Sequence, residues 1–421
     1  MGPTKGVIVA ALIGAAIGCR QAEEHPNADA QRLAVAEFAG VDTPTIPSDE
    51  SYAPTSLPHL WSETQPAYEG SGWYRLRFTP ATVDAAYAVY LPKLNMNAAV
   101  YLNRAWIGDG GRFDPPVAQH WNRPLYFRVP ATLLRPGENV LHVRLFAYAH
   151  DWGGLFPVWV GPHTQLVDAY ERQYTLQIVV SQLASVMVLV LALTMGALAI
   201  GSRDSVYGYW ALGCTLYFVH SLSAHVRDIG LPYPVGRWLI HASFDLFAVS
   251  LAIGMHRWAE VQRPSLERAM VTAMLGGAAI TLAVPGPFFL PLANALHLLA
   301  LVVGVYAATI MVRHFGRLGG PEVRITIGAG VVTLGFGVHA LLIYFGVLPQ
   351  DEPRLLKLMA PLLMLGFGGV LIARYVRSAR TAALLNVELE ARVEAKEAEL
   401  RASYLRAQEA ERAQLLETER A

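Results

Sequence analysis

Read from the amino end, the chain changes its hydrophobic period three times. A short apolar run, residues 6–18, follows Lys5 and gives way to the polar stretch Arg20, Gln21, Glu23, Glu24. From 72 to 160 the pattern alternates with a period of two. Strands are predicted over 72–78, 86–91, 98–102, 125–129, 140–146 and 155–160, separated by Gly, Pro, Asn and Asp turns. Beyond residue 174 the alternation stops and long uncharged runs begin. Residues 176–200 carry no charge over 25 positions, enough for one tilted membrane span. Six further apolar segments follow, at 206–222, 238–258, 269–284, 288–312, 325–348 and 355–376, which predicts seven spans joined by short connections. The final stretch is different again. From 381 to 421, 15 of 41 residues are charged, and no Gly follows Gly369 and no Pro follows Pro361, so the seventh span is expected to continue as one solvated helical rod.

These patterns predict a multidomain membrane protein with an all-β sandwich, a seven-helix bundle and a C-terminal coiled-coil helix. The expected boundaries are a signal peptide over 1–18, a linker over 19–65, the sheet domain over 66–165, the bundle over 174–376 and the signalling helix over 377–421. The first segment has the layout of a secretory leader. Ala16, Ile17, Gly18 and Cys19 read either as small residues before a signal-peptidase cut or as a lipobox in which Cys19 is acylated. Asn27 to Pro66, rich in Pro, Ser, Thr and acids, reads as a lead-in.

Composition narrows the classes. Charged residues are 16% and hydrophobic ones 53%, against about 25% charged in an ordinary soluble domain. Lys plus Arg equals Asp plus Glu at 33 each, so no net field attracts nucleic acid. Two cysteines, Cys19 and Cys214, are too few for a disulfide framework or a Cys-based metal site. Orientation follows from where the cations sit. With the sheet domain outside, inner connections hold ten Arg residues, among them Arg203, Arg257, Arg313 and Arg377, and outer ones hold Arg227, Arg237, Arg354 and Lys357. The sheet domain is therefore expected outside a bacterial plasma membrane and the C-terminus in the cytoplasm.

Candidate chemistry is sparse. In the sheet domain, His120, Trp121, Arg123, Asp151 and Trp152 lie in loops, where aromatic rings and planar polar groups suit a small ligand such as a carbohydrate. The other reading has such aromatics covering the sandwich edge, with Trp73, Trp106 and Trp159 in the core. Asp109, Asp114 and Asp151 show no spacing that argues for hydrolysis by paired carboxylates. In the bundle, His241 and Asp245 share a face at i, i+4. They read as a packing clamp, or as a polar pair at membrane depth with a functional role. His297 and His339 lie in later spans. Gly276, Gly277 and Gly366, Gly368, Gly369 interrupt two spans, as substrate sites in transporters do.

Three phrases carry a resemblance. GWYRLRF at 72–78, VYLNRAWIGDGGRF at 100–113 and LRPGENVLHVRL at 134–145 together resemble the jelly-roll, galactose-binding-like domain that precedes the barrel in family 2 glycoside hydrolases. The order of units, with the tail LEARVEAKEAEL at 389–400, resembles the bacterial seven-transmembrane receptors with diverse intracellular signalling modules. That resemblance implies a sensor: an extracytoplasmic ligand is detected outside, the bundle passes the change on, and a histidine kinase or other signalling module receives it, with membrane lipid around the helices and a homodimer as the working form. The coiled-coil seam would run through Asn386, Val393, Leu400 and Ala407, with Leu389, Lys396 and Ser403 as its second row. All 13 histidines lie at or before His339 and no Gly-rich nucleotide lid follows Gly369. No phosphoacceptor, catalytic residue or cofactor is expected here, and the ending in helical sequence predicts an output module elsewhere. The alternative is a sugar-related membrane transporter or an anchored carbohydrate-binding protein.

Overall fold

A computed structural model describes residues 29–314, 321–349 and 356–420. The leader over 1–18, Cys19, Arg317 and Arg354 lie outside the described residues. The chain divides into two compact units, Met1–Gly366 and Phe367–Ala421.

The alternating segment folds as two antiparallel sheets around one core. The strands are β1 (Gln31–Leu33), β2 (Val35–Ala39), β3 (Ala53–Ser56), β4 (His59–Leu60), β5 (Gly70–Phe78), β6 (Tyr87–Leu91), β7 (Leu94–Asn95), β8 (Asn97–Leu102), β9 (Ala105–Asp109), β10 (Leu125–Val129), β11 (Asn139–Ala147), β12 (Gly154–Leu155) and β13 (Val158–Pro162). One sheet has the order β1-β13-β6-β10 and the other β3-β2-β5-β11-β8-β9, with a small β4-β12-β7 ribbon beside them. The period of two does its work in β5: Tyr74, Leu76 and Phe78 enter the core shared by both sheets, while Trp73, Arg75 and Arg77 take the opposite face. The turn at Asn103 and Arg104, both at positive φ, joins β8 to β9 with Leu102 opposite Ala105. Two left-handed residues in succession give the hairpin geometry that matches strand twist.

The segment read as a lead-in is part of this domain. Residues 31–60 supply β1 to β4, and Leu33, Ala36 and Leu57 are core residues. The stretch between β2 and β3 covers the outer face of β5. Arg75 Nε meets Glu37 Oε2 and Arg75 Nη1 meets Asp49 Oδ1, each at 2.5 Å, and its guanidinium lies over the Tyr52 ring. Trp73 Nε1 donates to Thr43 O at 3.0 Å. Polar composition resembles a linker's, yet its carboxylates answer Arg75 and a main-chain carbonyl answers Trp73, both from strand β5. Trp106 also departs from its expected place in the core. It stands 58% exposed on β9, the edge strand of its sheet.

The apolar segments are helices: α1 (His163–Ser202, including a π-helical stretch at Thr175–Val179), α2 (Ser205–Leu222), α3 (Tyr233–Trp258), α4 (Pro264–Ala283), α5 (Gly286–Arg313), α6 (Pro321–Tyr344) and α7 (Leu356–Arg420). Pro234, Pro264 and Pro287 stand in the first turns of α3, α4 and α5, where a missing N–H costs nothing. Asp204 caps α2 by accepting from Val206 N at 2.9 Å. Among the described residues, six helices are long and apolar enough to cross a membrane; α2 is shorter and is not one of them. α3 is the central helix, packed against α2, α4 and α5. Large apolar residues such as Leu183, Val190 and Leu193 on α1 and Val302 on α5 remain outside the packing, a face suited to lipid rather than water. Gly276 and Gly277 do not interrupt α4. Gly277 instead admits the Leu296 side chain of α5, which a Cβ would meet at 2.5 Å. Gly366, Gly368 and Gly369 likewise lie inside the uninterrupted helix α7.

From Arg377 to Arg401, α7 is exposed throughout, Leu384, Leu389, Val393 and Leu400 included. Arg392 donates to Glu388 at 2.5 Å along this helix, and Lys396 to Glu399 at 2.6 Å.

Candidate functional site

The sheet domain and the helices before Gly366 meet over one surface, built from the loop after β9 and the connection between α2 and α3. Gln119 N donates to Arg227 O at 2.8 Å. Asn122 Nδ2 donates to Gln177 O and Ala224 O at 3.1 and 3.0 Å. Arg123 donates to Tyr174 Oη at 2.9 Å and His225 O at 2.8 Å, and Arg112 pairs with Asp228 at 2.6 Å. The Tyr148 and Tyr233 rings stack with centroids 3.8 Å apart and planes 2° from parallel. These contacts bring polar loop residues to a helix bundle that has few polar groups of its own.

Beside this surface lies a cavity of about 140 Å³, walled by both partners. At roughly 10–15 Å³ per water-sized probe, it has room for a molecule of about ten non-hydrogen atoms. From the sheet domain come Trp121, Asp151 and Trp152, and from α3 and α5 come Arg237, His241 and His297. Of the five loop residues singled out by sequence, three therefore line one cavity. The other two do not. His120 is buried within the sheet domain, where Nε2–H donates to Gly110 O at 2.7 Å, and Arg123 is used in docking. Burial pushes the His120 imidazole well below its usual range, to about 4. A Cβ on Gly110 would fall 2.6 Å from His120 Nε2 and 2.3 Å from Asn97 Oδ1, so this corner is closed to a larger residue.

The polar pair of α3 is part of a chain of three. His297 Nδ1 lies 2.6 Å from Asp245 Oδ1, and His297 Nε2 lies 2.9 Å from His241 Nδ1, with the two rings stacked 14° from parallel. His241 and Asp245 share a helix face as the spacing predicts, but no direct bond joins them; the imidazole of α5 stands between. A carboxylate at Asp245 accepts from His297 Nδ1–H. His297 Nε2 then accepts from His241 Nδ1–H, and the His241 ring lines the cavity. Asp245 itself is 2% exposed and lies behind the wall. Removing His297 would leave the buried carboxyl group of Asp245 without this hydrogen-bond partner, a loss of about 1–3 kcal/mol for a buried polar group left unsatisfied.

Arg237 is the residue that sequence reading passed over, since it was counted as one more loop cation. A signal was present: Arg237, His241 and Asp245 are spaced i, i+4, i+8 and so lie on one helix face. Its guanidinium is held against the Phe289 ring at 3.9 Å, and Nη1 stands 3.7 Å from Asp151 Oδ2, beyond hydrogen-bond reach. A second buried cluster was also missed. At the far end of α3, His256 bonds Glu267 and Tyr306 at 2.8 and 2.9 Å, and Arg257 grips both oxygens of Glu267, tying α3, α4 and α5 together. No group of three or more metal-ligating side chains is found among the described residues.

No family model matches the chain, and no curated protein matches it. Solved structures similar to it include a glycosyl hydrolase family 2 member from Bacteroides cellulosilyticus DSM 14838, at 18% identity over 31% of this chain and 20% of that one, with a TM-score of 0.26. A beta-glucuronidase from glycoside hydrolase family 2 matches at 16% identity over 31% and 17% of the two chains, with a TM-score of 0.26. A GH2 beta-galacturonidase from Eisenbergiella tayi matches at 15% identity over 31% and 24%, with a TM-score of 0.25. The chain spans about a fifth of the length of these structures.

Proposed function

We propose that this chain is a membrane sensor: a small extracytoplasmic ligand enters the cavity, and the helices carry the change to a cytoplasmic coiled coil. One observation carries the reading. The cavity is walled by loops of the sheet domain on one side and by α3 and α5 on the other, so a single ligand touches both. A ligand shifts a conformational equilibrium only through its differential affinity for the two states, and an occupant of this joint cavity acquires such a difference whenever the two walls move. In this reading the sheet domain is a jelly roll outside a bacterial plasma membrane, the helices form a seven-span bundle, and the apolar positions of α7 pair with a second copy. A histidine kinase or other signalling module takes the output. The role is one of binding and transmission, with no catalytic residue assigned.

The test uses the full chain in membranes. Cysteines are introduced one at a time from Leu384 to Tyr404 and oxidised, without and with a second change, Gly236→Phe, which fills the cavity from the first turn of α3, where a Cβ meets only Leu231 at 3.9 Å. Cross-linking between copies is expected to recur about every 3.5 residues, strongest at Leu389, Val393 and Leu400, and Gly236→Phe is expected to shift which positions react. Uniformly weak cross-linking would remove the dimer. A pattern that Gly236→Phe leaves unchanged would remove the sensor.

A further inference from the structure

Resting on the cavity's role as a ligand site, we propose the chemical class of its occupant: a small monoanion, one oxyacid group on an apolar body, anchored by Arg237. Arg237 Nε and Nη1 are buried without a hydrogen-bond partner, and so is Trp152 Nε1 in the same wall. Burying a donor without an acceptor is unfavourable, and more so when the donor is charged. All three belong to residues that line one cavity. The guanidinium plane is fixed against Phe289, so these donors are held in place before any ligand arrives. Asp151 balances the charge of Arg237 but does not satisfy its geometry. Its Oδ1 already accepts from Trp152 N at 2.7 Å, and Oδ2 stops 3.7 Å short of Nη1.

Positive charge stands in the same wall: Lys93 and Arg237 line the cavity beside Asp151, and Lys93 Nζ stands over the Phe156 ring at 4.8 Å. The rest of the wall is largely hydrocarbon and aromatic, Leu94, Trp121 and Leu290 among them, so the body attached to the charge is apolar. A neutral polyol would use Asp151 as an acceptor, whereas a monoanion meets Asp151 as a competitor for Arg237. The two classes thus respond oppositely to the loss of that carboxylate.

That opposition is the test. The full chain is purified into nanodiscs of phosphatidylcholine and titrated with benzoate and hexanoate, and with the neutral benzamide and hexanamide, by calorimetry and by melting temperature. The carboxylates are expected to bind saturably in the millimolar range or tighter, and the amides not at all. Arg237→Gln should weaken carboxylate binding roughly tenfold or more, and Asp151→Asn should strengthen it several-fold. The same oxyanion chemistry is available from a lipid headgroup. If the carboxylates do not bind but phosphatidylglycerol in the nanodisc raises the melting temperature of the wild type and not of Arg237→Gln, the anion site stands and its source is the membrane. Binding of the amides as tightly as the acids, weaker binding in Asp151→Asn, or indifference to both carboxylates and phosphatidylglycerol would each overturn the proposal. Because Arg237→Gln removes a buried cation, its unliganded melting temperature is measured alongside, and Asp151→Asn decides if that variant does not fold. None of these readouts depends on signalling, so a failed anion site is distinguishable from a failed sensor.

Discussion

His120 and His142 show how burial, helped by nearby arginines, makes the sheet domain sensitive to acid. Each imidazole has a buried Nδ1 without a hydrogen-bond partner, and burial holds each near a pKa of about 4 rather than 6.5. Between pH 6.5 and 4 the unfolded chain binds protons there that the folded chain does not, so stability is complete above about 6.5 and is lost as pH falls toward 4. At about 1.4 kcal/mol per unit, each histidine accounts for at most roughly 3 kcal/mol of that loss. Melting temperatures taken across this range should fall steadily, and His120→Gln should remove about half of the slope; an unchanged slope would show that His120 is solvated. The same residue shows the limits of reading a loop from its letters. His120, Trp121 and Arg123 are neighbours in sequence with three different fates: one buried in the domain, one in the cavity wall and one in the docking surface. Side chains of consecutive loop residues point apart, and only their surroundings separate a ligand contact from a structural one.

At the scale of elements, the sheet domain and the first long helix are mechanically continuous. α1 begins at His163, directly after β13, and its first turns lie on the sheet, with Leu166 packed beside Ala88 and Tyr90. Arg123 and Asn122 then fasten the α2–α3 connection to the same domain. Arg123→Ala removes two hydrogen bonds from a cation, about 1.5–3 kcal/mol for such bonds, and should raise amide exchange over 224–230 while the core strands β5 and β11 remain protected. Exchange at 224–230 that matches the wild type would place the docking energy elsewhere. Element types were legible because the periods differ so strongly: alternation in 72–160, unbroken apolar runs after 174, charge with no helix breaker after 381. β1 to β4 were not, since their sequences are short and without a clear period, and they become strands through pairing: β1 with β13, β2 with β3 and β5, and β4 with β12.

For the whole molecule, six described helices are long and apolar enough to cross a membrane, and the Arg distribution predicts the sidedness that crossing would have. In intact cells, a cysteine at Ser48 should react with an impermeant maleimide and one at Ser403 should not, and inverted vesicles should reverse the result. Reaction of both from one side would contradict an odd number of spans. α2, shorter and rich in aromatic residues, is the element on which that number turns; it lies against α1 and α3.

The layer order of this protein, sheet domain, then apolar helices, then a charged rod, is written locally. Each period is a property of neighbouring residues, and burial of a strand face or a helix surface follows from it wherever the chain goes. The cavity is not local in that sense. It needs Trp121, Asp151 and Trp152 from two loops, Arg237 and His241 from α3 and His297 from α5, residues that share no window of sequence. His297 enters between His241 and Asp245 because α3 and α5 pack together, and Arg237 faces Asp151 because the α2–α3 connection docks on the sheet domain. Spacing along one helix can place groups on a face; which groups they meet across the interface is settled by packing between elements far apart in the chain.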